Sequence, residues 1–328
     1  MIRNLNQEKH VVVVGGAGYL GSVLVRQLLD TGVQVTAFDA LLFSEEAVSD
    51  LKGNPRFTLF KGDLRNISAL SAVLQDGVDA VVLLAALVGE KACDLDPRVT
   101  ADTNYLGAKM LAEACKYYGI PRFVFASTDS AYGIQEGIMY EDSPLRPISL
   151  YARLKMQAEQ EILGLADADF RPTILRMATI YGFSPRMRFD LVINVLSLHA
   201  WANNRIKVYG GKQWRPLVHV EDAARAYVMC LQADLEAVGG QVFNVGDNEQ
   251  NYQVGALGEM VADVFESVEV ETIPQTPDLR DYRVNFDKIG QELGYQVQYS
   301  VRDGIQGIRR ALEGGLFPEP ADGKYYNA

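Results

Sequence analysis

The sequence predicts an α/β protein built on a Rossmann-type doubly wound parallel sheet, with a smaller, discontinuous α/β lobe in its C-terminal part. The first observation is a run of four valines at 11–14 that leads directly into a glycine-rich turn. The second is the apolar helical pattern after this turn, which includes Leu24 and Leu28. The third is the alternation of strand-like and helix-like segments through the first half of the chain, which is typical of a parallel sheet covered by helices on both faces.

The individual elements can be placed from their local patterns. Apolar runs bounded by turn residues predict strands near 10–14, 33–38, 57–60, 80–85 and 122–126. Apolar residues at helical spacing predict helices near 19–31, 66–76, 101–118 and 150–165. Two later strands, at 173–178 and 241–245, are expected to extend the same sheet.

The other stretches of the second half do not keep this rhythm. Residues 182–216 and 246–328 carry most of the remaining proline, arginine and aromatic residues. We therefore expect two domains. The larger, which contains the sheet, is formed by 1–181 plus 217–245, and the smaller lobe is formed by 182–216 plus 246–328.

Composition and charge limit the class of protein. The chain has 328 residues, 48% of them apolar, and its 31 basic and 42 acidic residues give a net charge of −11. This charge disfavours nucleic acid and an anionic membrane as partners. The three cysteines, Cys93, Cys115 and Cys230, suit neither a disulfide framework nor a metal cluster, so we expect a cytoplasmic protein without a metal. The first ten residues are too polar for a signal peptide, and no apolar run is long enough to span a membrane.

The glycine-rich turn at 15–21 has the spacing of a dinucleotide-binding loop. Gly15 would allow the tight turn, Gly18 the close approach of a pyrophosphate, and Gly21 the packing of the helix on the strand. The helix that begins there would present its free amide groups to the anion. The second strand ends in Asp39, 18 residues after Gly21, where a carboxylate can accept both adenosine ribose hydroxyls and repel a 2′-phosphate. These residues favour NAD over NADP.

Tyr151 and Lys155 lie four residues apart on a predicted helix and would therefore share one face. A tyrosine is a poor base at neutral pH because its pKa is about 10, but a neighbouring ammonium and the cationic nicotinamide of NAD⁺ would both stabilise the phenolate. The tyrosine could then take a proton from a substrate hydroxyl while hydride leaves the same carbon. The same spacing is common on ordinary amphipathic helices, so the pair acquires this meaning only together with the upstream loop.

In a series of segments the chain resembles the extended short-chain dehydrogenase/reductase family, the nucleotide-sugar epimerases and dehydratases. The matching segments are GGAGYLG (15–21), Asp39, GDLRN (62–66), LAALVG (84–89), Asn104, FVFASTDSAYG (123–133), Tyr151, Lys155, RMATIYGFSPR (176–186), GGKQWRPLVHVEDAARA (210–226) and FNVG (243–246). The resemblance covers nearly the whole length of the chain, and the segments together are highly specific.

The resemblance implies a role for residues at the carboxyl ends of the strands. The implied NAD-binding residues are Gly15, Gly18, Tyr19, Leu20, Gly21, Asp39, Asp63, Leu64, Ala85, Ala86 and Lys155. The implied catalytic residues are Tyr151, Lys155 and Thr128, supported by Asp129, Ser130, Ser127 and Asn104. Thr128 would hydrogen-bond the sugar hydroxyl that is oxidised.

The triplet Thr128-Asp129-Ser130 bears on which reaction is catalysed. Family members that eliminate water across C5 and C6 usually carry a glutamate at its third position as the base for the C5 proton, and Ser130 has no carboxylate. Oxidation at C4 needs only the Tyr-Lys pair, NAD and Thr128. The sequence therefore favours a 4-epimerase, which returns hydride to the other face of a 4-keto sugar. A net C4 dehydrogenase, for example of a nucleotide-linked heptose, is the alternative, and a 4,6-dehydratase or a non-catalytic dinucleotide sensor is less favoured.

Five polar residues are candidates for binding the diphosphate or sugar of a nucleotide-diphosphate sugar. Arg215 and Arg280 resemble family arginines that grip the substrate diphosphate, and the guanidinium fork suits two phosphates. Arg186, Arg188 and Asn194 are further candidates, with a solvated basic loop as the alternative interpretation.

The resemblance also implies self-association. The helices near 101–118 and 150–165 are expected to pair with their copies as a four-helix bundle in a homodimer. Nothing in the sequence identifies the nucleoside base or the sugar.

Overall fold

The computed structural model describes residues 9–75, 77–275, 278 and 280–327. Most of the polar N-terminal segment that carries the signal-peptide prediction, residues 1–8, lies outside the described residues. Within the described part of the chain, no helix is long and apolar enough to cross a membrane.

The strands and helices follow the predicted alternation. The strands are β1 (His10–Val14), β2 (Gln34–Asp39), β3 (Phe57–Lys61), β4 (Ala80–Leu83), β5 (Arg122–Thr128), β6 (Ile134–Met139), β7 (Arg171–Met177), β8 (Thr179–Tyr181), β9 (Arg205–Tyr209), β10 (Trp214–His219), β11 (Val242–Val245), β12 (Asn251–Gln253), β13 (Glu269–Ile273) and β14 (Asp281–Val284). The helices are α1 (Gly21–Asp30), α2 (Ile67–Leu74), α3 (Glu90–Leu95), α4 (Pro97–Ala101), α5 (Ala108–Tyr117), α6 (Leu150–Gly164), α7 (Val192–Asn203), α8 (Val220–Gln232), α9 (Leu235–Val238), α10 (Val254–Phe265), α11 (Asp287–Leu293) and α12 (Val301–Glu313).

The central sheet has seven strands, all parallel, in the spatial order β11-β7-β5-β4-β1-β2-β3. The predicted Rossmann-type doubly wound sheet is confirmed. The two later strands of the prediction are β7 and β11, and they extend this sheet beyond β5.

Strand β1 lies in the middle of the sheet, between β4 and β2, and its four valines are 0–1% exposed. Alternate valines face opposite sides, where one apolar core contains Leu24 of α1 and the other contains Leu111 of α5. A parallel strand covered on both faces must be apolar throughout, which is why the run of valines identified it. The first core also contains Ile193 of α7 and Ile305 of α12, so the helices of the second half pack on the same sheet.

Three smaller sheets complete the fold: β8 with β10 and β12, β9 with β13, and β6 with β14. Strand β10 runs across the position between residues 216 and 217 at which the sequence places a domain boundary. The parallel pairing of β14 with β6 matters most for the site, because it brings the segment just before β14 towards the end of β5.

The helix predicted near 101–118 is interrupted. Its first turn is α4, which begins after Asp96, whose side chain accepts hydrogen bonds from the amides of Arg98 and Val99. A π-helical segment, Asp102–Gly107, then separates α4 from α5. Such widened turns cannot be read from helical periodicity, and they are frequent at functional sites.

Candidate active site

The carboxyl ends of β1, β2, β4 and β5 meet at one edge of the central sheet, where a cavity of about 1050 Å³ opens. Open α/β sheets bind ligands at this edge. We call the part of the cavity beside β1 and β2 the β2 side; it is lined by the glycine-rich loop, Asp39, Phe43 and Arg186. We call the part beside β5 the β5 side; it is lined by Thr128, Asp129, Ser130, Arg215 and Arg280. Tyr151 and Lys155 also line the cavity.

The glycine-rich loop is packed so closely that side chains are excluded. Gly15 has a φ of +92°, and a Cβ there would lie 2.6 Å from the amide nitrogen of Ala85. A Cβ on Gly21 would lie 2.0 Å from the carbonyl oxygen of Gly15. Gly16, which the sequence analysis did not select, is equally constrained, because its Cβ would lie 2.6 Å from that of Ala37. The loop therefore keeps its backbone bare where a ligand must approach.

The start of α1 has the features expected of a phosphate site. Gly18, Tyr19, Leu20 and Gly21 all line the cavity. Leu20 is the N-cap residue, and no side chain caps this helix end. No side chain therefore takes up the amides at the start of α1. They can face an anion, as the dinucleotide interpretation requires, except for that of Ser22, which donates to the carbonyl of Gly18 at 2.9 Å.

Asp39 forms the wall next to this loop. Its carboxylate accepts hydrogen bonds from the amides of Ala17, at 3.0 Å, and Leu41, at 2.8 Å. Burial raises the pKa of Asp39, and these amide bonds oppose that shift. The side chain is thus oriented by backbone groups on both sides at the end of β2.

The other implied cofactor residues, Asp63, Leu64, Ala85 and Ala86, also line the cavity. Asp63 binds the guanidinium of Arg65 at 2.6 Å, and this hydrogen bond lowers the pKa of Asp63. Leu64 is buried against Gly107 of the π-helical segment. The four residues thus share one wall of the cavity.

Asn104 supports that wall from behind. Its side-chain oxygen accepts from the amide of Leu87, and its Nδ2 donates to the carbonyl of Leu87, both at 2.8 Å. The widened turn that contains Asn104 therefore fixes the loop after β4. Asn104 acts on the cavity through this loop rather than as part of its lining.

The structure brings Tyr151, Thr128 and Lys155 together. Thr128 is the last residue of β5, and a hydrogen bond joins its side chain to Tyr151. Tyr151 and Lys155 lie in the first turns of α6, whose N-cap is Ser149. The Lys155 ammonium lies 4.1 Å from the centre of the ring of Phe125, which is also a residue of β5.

Burial shifts the pKa values of both Tyr151 and Lys155. Burial raises the pKa of Tyr151 to about 12, and the lowering effects of Arg188 and Thr128 do not offset it. Burial also lowers the pKa of Lys155 to about 7, against an opposing effect of Glu159. Lys155 is not among the groups that shift the pKa of Tyr151. Burial disfavours the charged form of both groups, so the expectation that the Lys155 ammonium and NAD⁺ stabilise the phenolate stays a prediction.

A buried network next to Lys155 escaped the sequence analysis. Glu159 forms an ion pair with Arg176 of β7 at 2.5 Å and accepts a hydrogen bond from Ser127 at 2.8 Å. Arg176 also donates to the hydroxyl of Tyr132 at 2.9 Å. The network ties α6 to β5 and β7. Its only sequence signal is Glu159 four residues after Lys155, on the same helix face.

Asp129 and Ser130 follow Thr128 and meet a residue from the distant strand β14. Asp129 is buried; its Oδ1 accepts from the hydroxyl of Tyr282 at 3.0 Å, while its Oδ2 has no partner among the described residues. Burial raises the pKa of Asp129 to about 7. The hydroxyl of Ser130 accepts a hydrogen bond from the guanidinium of Arg280 at 3.2 Å. Tyr282 had no signal of its own in the sequence.

Arg215 and Arg280 share one carboxylate. Asp278 lies 2.7 Å from Arg215 and 2.6 Å from Arg280. Burial alone would raise the pKa of Asp278, but the two arginines outweigh it and hold that pKa well below its usual range. Two arginines from distant parts of the chain thus converge on the β5 side.

The other three candidates for substrate binding, Arg186, Arg188 and Asn194, lie in different surroundings. Arg188 lines the cavity and pairs with Asp190 at 2.5 Å. Arg186 lines the cavity on the β2 side. Asn194 is fully buried, and its amide bonds the Tyr19 hydroxyl, the Arg188 carbonyl and the backbone amide of residue 182. Its hydrogen-bonding groups are therefore engaged within the protein, and the structure makes Asn194 a support for the loop rather than a ligand contact.

The chain matches the model of the "NAD dependent epimerase/dehydratase family" over residues 11–246. It is 33% identical over 317 residues to a dTDP-glucose 4,6-dehydratase of Streptomyces griseus, covering 90% of this chain and 92% of the relative. It is 30% identical over 256 residues to a UDP-glucose 4-epimerase of Lactobacillus helveticus, covering 72% and 76%. Among solved structures it is similar to DesIV, a dTDP-glucose 4,6-dehydratase from Streptomyces venezuelae with NAD and TYD bound, with 28% identity, a TM-score of 0.84, and coverage of 95% and 99%.

The fold and the site thus define an NAD-dependent enzyme of the extended short-chain dehydrogenase/reductase type. The chain belongs to the NAD dependent epimerase/dehydratase family, whose members include both nucleotide-sugar epimerases and dehydratases. NAD is the cofactor, and the bare glycine-rich loop and Asp39 fit it.

Proposed function

We propose that this protein is a nucleotide-sugar 4-epimerase that oxidises the C4 hydroxyl of a nucleotide-linked sugar to a 4-keto intermediate and then reduces it on the other face. The observation that carries the proposal is the contact between Tyr151 and Thr128 beside a site that binds NAD. NAD supplies the hydride acceptor and, in its oxidised form, a cationic ring.

Thr128 and Tyr151 have different roles at the C4 hydroxyl. Thr128 hydrogen-bonds the hydroxyl and holds it towards Tyr151, which accepts its proton. Tyr151 accepts this proton as its phenolate and becomes the neutral phenol. Because burial raises the pKa of Tyr151 to about 12, the phenolate must first be stabilised by a nearby positive charge. Lys155, buried beneath the tyrosine with a pKa of about 7, supplies or withdraws a proton at little cost near neutral pH.

The β5 side supports epimerisation over dehydration. Elimination of water requires a base for the C5 proton, and the residue at that position is Ser130, whose hydroxyl contacts Arg280 and Tyr282 rather than a base. Asp129, with its pKa of about 7, can donate a proton but does not replace a second carboxylate. We assign the substrate diphosphate to Arg215 and Arg280, since both guanidinium groups face the cavity beside Ser130.

Incubation with a panel of UDP-, dTDP-, GDP- and CDP-linked sugars tests the proposal, with NMR of the products and absorbance of NADH as readouts. We expect one nucleotide sugar to be converted to its C4 epimer without net formation of NADH. Accumulation of NADH would instead show a C4 dehydrogenase. Loss of water with solvent deuterium at C5 would show a dehydratase, and retention of NAD without turnover of any sugar would show a dinucleotide sensor.

We also propose the two-domain division and a homodimer formed through α5 and α6. Exposed apolar side chains on this side of the molecule support the dimer, namely Leu106, which is 51% exposed, and Tyr117, which is 84% exposed. The cytoplasm is the proposed compartment, in keeping with three buried, free cysteines. Light scattering at working concentration tests the dimer, and a monomeric mass would contradict it.

A further inference from the structure

Arg186 is a buried cation that forms no ion pair with a carboxylate among the described residues. Its side chain is only 6% exposed, and its Nε has no hydrogen-bond acceptor among the described residues. The ion pairs formed within the described ranges include Arg188 with Asp190 but none with Arg186. A charge removed from water in this way is unfavourable unless an anion or a set of acceptors replaces the water.

Burial, together with the positive charge of Arg188, lowers the pKa of Arg186 to about 10. The group nevertheless remains protonated at neutral pH. Asp190, Asp39 and Tyr19 are close enough to influence this pKa and oppose its lowering. Arg186 therefore lies beside the carboxylate and the glycine-rich loop of the β2 side, not beside Arg215 and Arg280.

Two contacts hold the guanidinium in place. Its carbon lies 3.9 Å from the centre of the Phe43 ring, so one face of the group is stacked. One terminal nitrogen donates to the side-chain oxygen of Asn327 at 2.7 Å. A planar group fixed at one face and one corner keeps its other donors in a defined direction, as recognition of a phosphate requires.

Asn327 belongs to a strap that crosses the edge of the cavity, which we define as residues 323–327. The Nδ2 of Asn327 donates to the carbonyl of Val88 in the loop after β4, at 3.2 Å. The carbonyl of Tyr325 accepts from the amide of Phe189 at 2.9 Å, and the Tyr325 ring packs against that of Phe189. The strap thus joins the loop that carries Arg186 to the wall behind the cofactor site.

We propose that Arg186 binds the diphosphate of NAD, and that the strap positions its guanidinium for this contact through Asn327. The diphosphate provides the ion-pair partner that Arg186 lacks among the described residues, where Asp190 and Asp39 influence it only from beyond ion-pair distance. A substrate diphosphate has the same chemistry, but the β5 side already presents Arg215 and Arg280 for it. The inference rests on NAD as the cofactor and is independent of which sugar reaction follows.

Calorimetric titration of nucleotide-free protein tests the assignment, with NAD⁺, adenosine and UDP as separate probes. We expect Arg186→Gln to weaken NAD⁺ binding roughly 10- to 100-fold, the effect of losing charge-assisted hydrogen bonds. Adenosine and UDP affinities should change by less than about twofold. The matched control is Arg302→Ala, an exposed arginine of α12 that pairs with Asp263, and it should change none of the three.

Unchanged NAD⁺ affinity in Arg186→Gln would overturn the proposal, and a loss confined to UDP would assign Arg186 to the substrate diphosphate. An equal loss with adenosine would show a collapsed site instead of a missing phosphate contact, and would also overturn it. Because the Gln variant can fail to fold, Arg186→Lys provides a second test. It keeps the charge but not the fork, and it must weaken NAD⁺ at least about threefold more than adenosine.

The role of the strap is tested by a double-mutant cycle. Asn327→Ala should weaken NAD⁺ binding about threefold in the wild-type background and have no further effect in Arg186→Gln, because Asn327 acts through Arg186. Independent, additive losses would overturn the positioning role. Since these assays measure binding without turnover, intact NAD⁺ binding in a protein that fails to epimerise any sugar would contradict only the proposed function.

Discussion

The two sides of the cavity hold their arginines in opposite ways. On the β5 side, Arg215 and Arg280 share the carboxylate of Asp278, which neutralises one of their two positive charges. On the β2 side, Arg186 is stacked on Phe43 and is bonded to an uncharged amide. An arginine that is already paired with a carboxylate must exchange this partner for the anionic ligand. An arginine without an ion-pair partner acquires one when the ligand binds. We expect the two sites to respond differently to substitution.

Tyr151→Phe should give the largest effect and leave both sides intact. The variant keeps the ring but loses the hydroxyl that accepts the proton, so kcat should fall by about 10²- to 10⁴-fold. Affinities for NAD⁺ and UDP should remain within about twofold, which separates the chemistry from binding on either side. Initial rates and calorimetry measure these quantities. Wild-type turnover in this variant would show that another group carries the proton.

Asp129→Asn should change how stability depends on pH. The pKa of Asp129 is about 7 in the folded protein and about 4 in the unfolded chain, so the folded state holds the proton more tightly. The protonated carboxyl of Asp129 makes its full contribution to stability below pH 4, and this contribution is lost as the pH rises through 7. The variant, which cannot ionise, should therefore gain on the order of a few kcal/mol relative to wild type between pH 4 and 7.

Urea unfolding at pH 4, 5.5 and 7 measures this difference. The exposed carboxyl of Asp50, replaced in the same way, is the control and should give a constant difference across the range. A constant difference for Asp129→Asn as well would contradict the raised pKa. The result concerns the β5 side alone, because the carboxylate of the β2 side, Asp39, is the same in both proteins and cancels in the difference.

Asp278→Asn should make the β5 side resemble the β2 side. With the shared carboxylate gone, Arg215 and Arg280 become unbalanced, and the free energy of unfolding should fall by about 1–3 kcal/mol; Asp278 is partly exposed, which moderates the loss. Affinity for UDP should increase several-fold, because the diphosphate no longer competes with a carboxylate. Thermal unfolding and titration with UDP measure the two effects. Weaker UDP binding would show that Asp278 orients the arginines instead of competing for them.

Asn194→Ala should give the smallest effect. It leaves the hydroxyl of Tyr19 and two backbone groups without their buried partner, so stability should fall by about 1–2 kcal/mol. UDP affinity should not change, because the amide of Asn194 is engaged within the protein. A UDP affinity reduced tenfold at unchanged stability would return Asn194 to the ligand contacts.

Much of the β2 side could be predicted because its signals are local. The valines, the glycine spacing and Asp39 lie within one strand-turn-helix-strand unit, and each residue type is dictated by its own backbone neighbourhood. The spacing did not reveal Gly16, because its constraint is the side chain of Ala37 on the next strand. Likewise, the spacing of one helical turn identified Tyr151 and Lys155, but it did not predict the direction of their pKa shifts.

The residues that escaped prediction are supplied from far along the chain. Tyr282 reaches Asp129 across 153 positions, and Asn327 reaches Arg186 across 141. Neither residue has a neighbour in the sequence that marks it. Glu159 is an intermediate case, because it lies on the predicted face of α6 but acquires its role from Arg176 on another strand.

The sequence by itself determined the parallel sheet, the bare dinucleotide loop and the tyrosine-lysine helix, because periodicity, glycine and residue spacing act over a few residues at a time. The tertiary structure decided which charges are paired and which acids are protonated. Those properties depend on burial and on partners that only the folded chain brings together. For that reason Tyr151 is harder to ionise than its sequence suggests, and Arg186 forms no ion pair with the residues that the structure describes.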